Sequence, residues 1–251
     1  MLTLGLKLGV GVARTVVVSG GGTGIGKAVA ARFAADGERV VVIGRRAEPL
    51  EAAAKEIGGT AIQADLSDPG EVERVRGELA ERFGTVDVLV NNAGGNVERH
   101  GVSGGVAERW TGNFRANVLT AVLPTEALRD LLNPSGRVVF ISSVAAYRGS
   151  GGTSYGPMKA ALHPYAFDLA AALGPRGITV NVVAPGLIQD TEFFGATLDD
   201  ERRALLVAQT HTGRAGTPQD VAETVHWLAS PGSGHVTAQI VQVNGGAERG
   251  R

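Results

Sequence analysis

The sequence predicts an α/β fold: a single-domain, Rossmann-type doubly wound parallel sheet of about seven strands with helices on both faces. Three observations predict it. Short β-branched runs such as Thr15 to Ser19, Arg39 to Ile43 and Ile178 to Val183 alternate with helical stretches along the whole chain, and strands separated by helices pair in parallel and are buried on both faces. Glycine accounts for 37 of 251 residues, about twice its usual share, and gathers at strand-to-helix turns instead of in a repeat. The length suits one large domain with a buried core, and no internal linker argues for two.

Composition excludes several function classes. A net charge of −1 with no long like-charged block argues against nucleic acid or an anionic membrane surface as partner. Without cysteine, neither a disulfide framework nor a thiolate metal site can form, and the five histidines lack metal-ligand spacing. Met1 to Val12 is apolar apart from Lys7, too short for a membrane span and without a signal-like cleavage pattern. Residues 1–13 therefore read as an N-terminal extension of a cytoplasmic protein whose single domain covers residues 14–251.

The first strand, Thr15 to Ser19, runs into Gly20-Gly21-Gly22-Thr23-Gly24-Ile25-Gly26 and then a helical stretch from Lys27 to Ala35. Glycines there let the backbone turn sharply and approach a pyrophosphate, while the helix N-terminus offers unpaired N–H groups and partial positive charge. A merely flexible loop is the alternative. The second strand, Arg39 to Ile43, ends at Gly44-Arg45-Arg46, where an NAD-selective site carries an acid for the ribose hydroxyls. Two guanidinium forks suit a 2′-phosphate instead, so NADP(H) is expected over NAD(H), unless both arginines only solvate the next helix.

A helix from Pro49 to Ile57 and a strand from Ala61 to Ala64 lead to Asp65-Leu66, placed to meet an adenine edge; Asp65 could equally cap the following turn. A helix from Glu71 to Phe83 feeds the strand Val86 to Val90 and then Asn91-Asn92-Ala93-Gly94, where asparagine amides can satisfy backbone groups and Ala93-Gly94 lets a cofactor pass close by. Gly101-Val102-Ser103-Gly104-Gly105 matches a hydrolase nucleophile elbow, but no hydrophobic strand precedes it, so it reads as a glycine-rich loop. Glu108 to Leu132 reads as one long helix carrying Asn117, either a core amide bonded to backbone or a functional group. The strand Arg137 to Ile141 ends in Ser142-Ser143, at the sheet edge where such folds bind ligands.

The next helix, Thr153 to Leu173, carries Tyr155 and Lys159 on one face. Pro157 falls in its first turn, where a missing N–H costs little, and Pro164 should bend it. A neighbouring ammonium favours a phenolate, so Lys159 would ease proton transfer by a tyrosine whose reference pKa is about 10. The strand Ile178 to Val183 and Ala184-Pro185-Gly186 precede a less regular segment to Arg214 holding Thr191, Phe193 and Phe194, either a substrate lid or a surface loop. A helix from Gln219 to Ala229 and a strand from Gln239 to Val243 close the sheet.

Taken together, these motifs resemble the short-chain dehydrogenase/reductase family over nearly the whole chain from Arg14 to Gly246. Ser19-Gly20 with Gly24-Ile25-Gly26 is similar to the family's glycine turn, with serine for threonine. Asn91 to Gly94 matches its N-N-A-G, and Asn181 with Pro185-Gly186 its later N-x-x-x-P-G. Among relatives the chain looks closest to the 3-oxoacyl-carrier-protein-reductase-like branch.

The resemblance implies a catalytic set of Asn117, Ser143, Tyr155 and Lys159, with Asn117 ordering a water through which protons are replaced. It also implies cofactor contacts at Gly20, Gly22, Thr23, Gly24, Ile25, Gly26, Arg45, Arg46, Asp65, Leu66, Asn92, Ala93, Gly94, Tyr155, Lys159, Pro185, Gly186, Ile188 and Thr191. Ser142 stands where the family's spacing to the tyrosine puts the serine; Ser143 is assigned because Ser-Ser-Val matches the motif's second serine, which requires one residue fewer between Arg148 and Thr153. The cofactor-facing threonine is likewise displaced: Asp190 holds its usual place and Thr191 follows.

The expected activity is hydride transfer between NADP(H), or NAD(H), and a carbonyl or alcohol on a small molecule, with no metal. The expected assembly is a homotetramer or homodimer through the Glu108 to Leu132 and Thr153 to Leu173 helices. A catalytically silent NADP(H)-binding regulator, an enoyl-thioester reductase and an NAD-dependent alcohol dehydrogenase of the same fold are the alternatives.

Overall fold

The structure is a computed structural model that describes residues 13–100, 104–193 and 198–249. The Met1 to Val12 stretch, Gly101 to Ser103 of the hydrolase-like motif and Phe194 lie outside the described residues. Seven strands, β1 (Thr15–Ser19), β2 (Arg39–Gly44), β3 (Thr60–Gln63), β4 (Val86–Asn91), β5 (Leu132–Ile141), β6 (Thr179–Pro185) and β7 (Ile240–Val243), form one sheet in the order β3-β2-β1-β4-β5-β6-β7. Every pairing is parallel.

Nine helices accompany them among the described residues: α1 (Gly24–Ala35), α2 (Ala47–Ile57), α3 (Pro69–Phe83), α4 (Val106–Phe114), α5 (Thr120–Leu128), α6 (Ala145–Arg148), α7 (Tyr155–Leu173), α8 (Asp200–Ala208) and α9 (Pro218–Leu228). Alternate side chains of the strands feed two cores. Val17, Leu89 and Phe140 pack against Leu79, Leu128 and Leu169 on one face. Val18, Val90 and Ile141 pack against Phe33, Leu50 and Val225 on the other. Burial on both faces explains why β1 and β2 read as continuous apolar runs instead of alternating ones.

The order reverses between β1 and β4, whose chains leave the sheet in opposite directions and open a crevice at their carboxyl ends. Among the described residues no helix is long and apolar enough to cross a membrane.

Two expectations need correction. The single helix expected from Glu108 to Leu132 is α4 and α5 joined by a π-helical turn, Arg115–Leu119, and Leu132 already belongs to β5, opposite Val86. The turn widens because the Asn117 amide inserts into the helical ladder: its Nδ2 donates to Asn113 O at 3.0 Å, taking the carbonyl a backbone N–H would use. The segment after β6 is also less irregular than expected, since it holds α8. Asp199 caps that helix by accepting from Arg202 N at 2.7 Å, but none of its residues is buried, so no core-facing stripe marked it. One start point also differs by two residues: α7 begins at Tyr155, not Thr153, and runs through Pro164 as one helix.

Candidate active site

The crevice is a cleft of about 780 Å³ that runs from the Arg45-Arg46 end of β2 to Tyr155 and Phe193. The glycine turn forms its floor. Gly20 takes φ 65°, and a Cβ on Gly26 would stand 2.2 Å from Gly20 O and 2.5 Å from Asn92 Nδ2, so only glycine lets α1 start this close under β1. Asn92 Nδ2 donates to the carbonyls of Ser19 and Gly20 at 3.0 and 3.2 Å, and Ser19 Oγ accepts from Asn92 N and Ala93 N. The N-N-A-G segment thereby fixes the glycine turn from the side. Thr23 precedes α1 without a side-chain cap, leaving the helix's first N–H groups directed at the cleft, where Gly20, Gly22, Thr23, Gly24 and Ile25 line the wall. Gly26 sits behind them and does not line it.

At the adenosine end of this expected layout, Arg45, Arg46, Asp65 and Leu66 line the cleft. The two arginines are not equivalent. Arg46 Nη2 is 2.7 Å from Glu192 Oε2 and 3.4 Å from Thr23 Oγ1, so it bridges the cleft to the segment after β6; Arg45 makes no side-chain hydrogen bond or ion pair among the described residues. Asp65 borders the cleft and also closes a turn: its Oδ1 accepts from Ser67 N at 2.9 Å and Ser67 Oγ at 2.8 Å. The cap of α3 is Asp68. Burial acts to raise the Asp65 pKa, but the Ser67 bonds and the charges of Arg45 and Arg115 hold it below the ordinary carboxylate value.

At the other end, Ser143, Tyr155 and Lys159 line the wall together with Ala93, Gly94, Pro185, Gly186, Ile188 and Thr191. Lys159 is 3% exposed. Its Nζ donates to Ile141 O at 2.9 Å and stands 5.9 Å from the Tyr155 ring centroid. Burial without a carboxylate partner pushes its pKa down to about 8. The Tyr155 ring packs against Phe193 with centroids 5.2 Å apart. A Cβ on Gly94 would come within 2.7 Å of Asn117 Oδ1 and 2.9 Å of Lys159 Nζ, so glycine is required for the strand end to pass beside the lysine.

The two serines have different surroundings. Ser142 is buried, with its Oγ donating to Lys159 O at 3.1 Å and lying 2.8 Å from His163 Nε2, whereas Ser143 Oγ accepts from Ala145 N at 3.1 Å. Both border the cleft, but Ser142 is already engaged inward. Asn117 is fully buried and does not line the cleft. Its amide is spent on backbone, accepting from Gly95 N at 3.0 Å and donating to Gly95 O at 2.8 Å and to Asn113 O at 3.0 Å, which is the core-amide reading. Thr191 reaches the wall and Asp190 does not, because Asp190 takes φ 57° and turns the chain by one residue.

Sequence reasoning missed several cleft residues, among them Arg115, Glu192 and Gly95. Arg115 lies in the π-helical turn, Glu192 follows Thr191, and Gly95 extends the N-N-A-G segment; only the last had a nearby motif to signal it. Among the described residues, no cluster of acidic or histidine side chains could hold a metal.

Comparison with known proteins agrees with this geometry. Residues 20–248 match a family described as enoyl-(acyl carrier protein) reductase. The chain is 34% identical over 239 residues to the 3-oxoacyl-[acyl-carrier-protein] reductase of Escherichia coli, covering 93% of this chain and 96% of the relative. It is 35% identical over 241 residues to a subunit of (2S)-[(R)-hydroxy(phenyl)methyl]succinyl-CoA dehydrogenase from Thauera aromatica, with the same coverage of 93% and 96%. A crystal structure titled as a short-chain dehydrogenase/reductase, glucose/ribitol dehydrogenase, from Brucella melitensis superposes with a TM-score of 0.86 at 31% identity, covering 94% of this chain and 97% of that one. The chain therefore belongs to the short-chain dehydrogenase/reductase family and is an NAD(P)-dependent oxidoreductase acting on a carbonyl or alcohol group.

Proposed function

We propose that the protein is an NADP(H)-dependent carbonyl reductase in which Tyr155 is the general acid and Ser143, Lys159 and Asn117 complete the site. The observation that carries this reading is the placement of two kinds of group at opposite ends of one cleft: guanidinium groups of Arg45 and Arg46 at one, a tyrosine, serine and buried lysine at the other. The residues present fit a dinucleotide. The glycine turn would hold its pyrophosphate against the α1 N-terminus, Asp65 and Leu66 would border its adenine, and Arg45 and Arg46 would take a 2′-phosphate. Lys159 would hold the nicotinamide ribose, and Pro185, Gly186, Ile188 and Thr191 would border the ring. When bound, the cofactor supplies the hydride for reduction or accepts it in the reverse direction.

The chain's own groups handle the proton. The Tyr155 hydroxyl donates to the carbonyl oxygen as negative charge develops there, Ser143 Oγ–H bonds the same oxygen, and the Lys159 ammonium stabilises the resulting phenolate. Asn117 contributes by holding Gly95 and the widened helical turn beside Lys159, and through that turn would order the water that returns protons. The Arg46–Glu192 pair does not oppose a 2′-phosphate strongly, since both side chains are 60% exposed and such pairs are worth little in water.

Several relatives act on acyl-carrier-protein or coenzyme A derivatives by name, which favours a 3-oxoacyl thioester as substrate class. A cytoplasmic location belongs to the same reading. The test is a panel of ketones and acyl thioesters scored by NADPH consumption, with Kd measured for both cofactors. NADPH should bind more tightly than NADH, and Arg45→Asp should shift the ratio toward NADH by on the order of tenfold, the worth of a lost charged hydrogen bond. Equal or tighter NADH binding by the wild type would reject the NADP(H) assignment.

A further inference from the structure

The tyrosine stands in the first turn of α7, and that helix does not cap itself. Its N-cap residue, Ser154, makes no side-chain cap, and no acidic residue lies in its first turn. The cap comes from a distant part of the chain. Glu98, in the short 3₁₀ turn Val97–His100, accepts from Ser154 N and from Ser154 Oγ, both at 2.9 Å. The same oxygen accepts from Asn113 Nδ2 at 2.9 Å, and Oε2 lies 3.3 Å from Arg109 Nε.

The side chain is 13% exposed, so these bonds are shielded from competing water. Two fully buried asparagines complete the clamp. Asn96 donates to Thr153 Oγ1 at 3.1 Å and accepts from Glu98 N at 3.2 Å. Asn113 accepts from Val97 N at 3.2 Å and donates to Ser154 Oγ at 2.9 Å. The network also reaches Asn117, whose amide donates to Asn113 O.

We propose that Glu98 is a positioning residue for Tyr155: its carboxylate, by bonding both donors of Ser154, fixes the first turn of α7 and so the place of the tyrosine hydroxyl in the cleft. The inference rests on the reading of Tyr155 as the general acid. A carboxylate suits the task because it accepts several bonds at once and complements the positive end of a helix. Glu98 bonds the N–H and hydroxyl of Ser154, the residue before Tyr155, so its effect passes through Ser154 and the backbone.

The test compares full-length wild type, Glu98→Ala, Glu98→Gln and Tyr155→Phe, with NADPH and acetoacetyl-coenzyme A as the carbonyl probe and amide hydrogen exchange across residues 150–160. In Glu98→Ala, kcat should fall roughly 10- to 100-fold, the scale of a reacting group displaced by about 1 Å. NADPH Kd and probe KM should stay within about threefold, and exchange at the start of α7 should quicken. Glu98→Gln keeps an acceptor oxygen with the same reach and should recover to within about fivefold of the wild type.

A Glu98→Ala kcat within twofold of wild type beside an inert Tyr155→Phe overturns this proposal and leaves the tyrosine assignment standing. A fully active Tyr155→Phe overturns both. Unchanged exchange at the start of α7 also overturns the proposal, whatever the rates. Should Glu98→Ala fail to fold, Glu98→Asp, which keeps the charge and loses one methylene of reach, carries the same comparison, and a kcat within twofold again overturns it.

Discussion

Lys159 sets the electrostatics of the cleft at the scale of a single residue. Its ammonium is buried with one carbonyl as partner, which pushes its pKa from 10.5 down to about 8. Because the folded value lies below the unfolded one, the unfolded chain binds more protons between those two values, and stability due to this residue rises with pH there. Below about pH 8 the full burial penalty acts, on the order of 3 kcal/mol. Urea unfolding of the cofactor-free protein should therefore show the wild type gaining on the order of 2 kcal/mol relative to Lys159→Met between pH 7.5 and 10; a difference that stays flat would contradict the assigned shift.

The residue type and its helical partner Tyr155 were legible from their spacing, but the burial was not. Nor does the sequence separate Ser142 from Ser143 by more than a motif match. The separation is physical: His163 and the Lys159 carbonyl, one or more helical turns along α7, draw Ser142 inward. Thr191 lines the cleft although its motif is off by one, because the left-handed backbone at Asp190 absorbs the extra residue.

Among the described elements, α4 carries the longest run of exposed large apolar side chains. Val106, Trp110 and Phe114 recur every four residues along it and are 64%, 46% and 42% exposed, and Phe167 on α7 is exposed as well. A stripe of large apolar side chains on one helix face marks an interaction surface more often than a solvated one. We propose that the chain forms a homodimer or homotetramer and that this stripe is its contact. Sedimentation should find an oligomer at micromolar concentration and Trp110→Glu should shift it toward monomer; a wild type that sediments only as monomer would contradict the assembly.

Strands and buried helices were readable because their apolar period or continuous burial is written in the sequence. The two elements misread lack that signal. The π-helical turn arises from one amide, Asn117, competing with the backbone for Asn113 O, and α8 has no buried residue to give it a stripe.

The whole molecule works by collecting distant segments at one edge of the sheet. All seven strands run parallel, so the segments following β1, β2, β4, β5 and β6 emerge on the same side, and motifs far apart in sequence meet in one cleft. That convergence follows from the βαβ alternation and was legible. The links that close the cleft were not, because they join residues with no periodic relation. Arg46 meets Glu192 across a separation of 146 residues, and Glu98 meets Ser154 across 56.

The central claim is that this convergence places Tyr155 to protonate a carbonyl oxygen, and Tyr155→Phe tests it most directly. The change removes one hydroxyl and keeps the ring against Phe193. Carbonyl reduction should fall at least roughly 10²- to 10⁴-fold while NADPH affinity stays within a few-fold. Near-wild-type turnover by Tyr155→Phe on a substrate the wild type reduces well would contradict it.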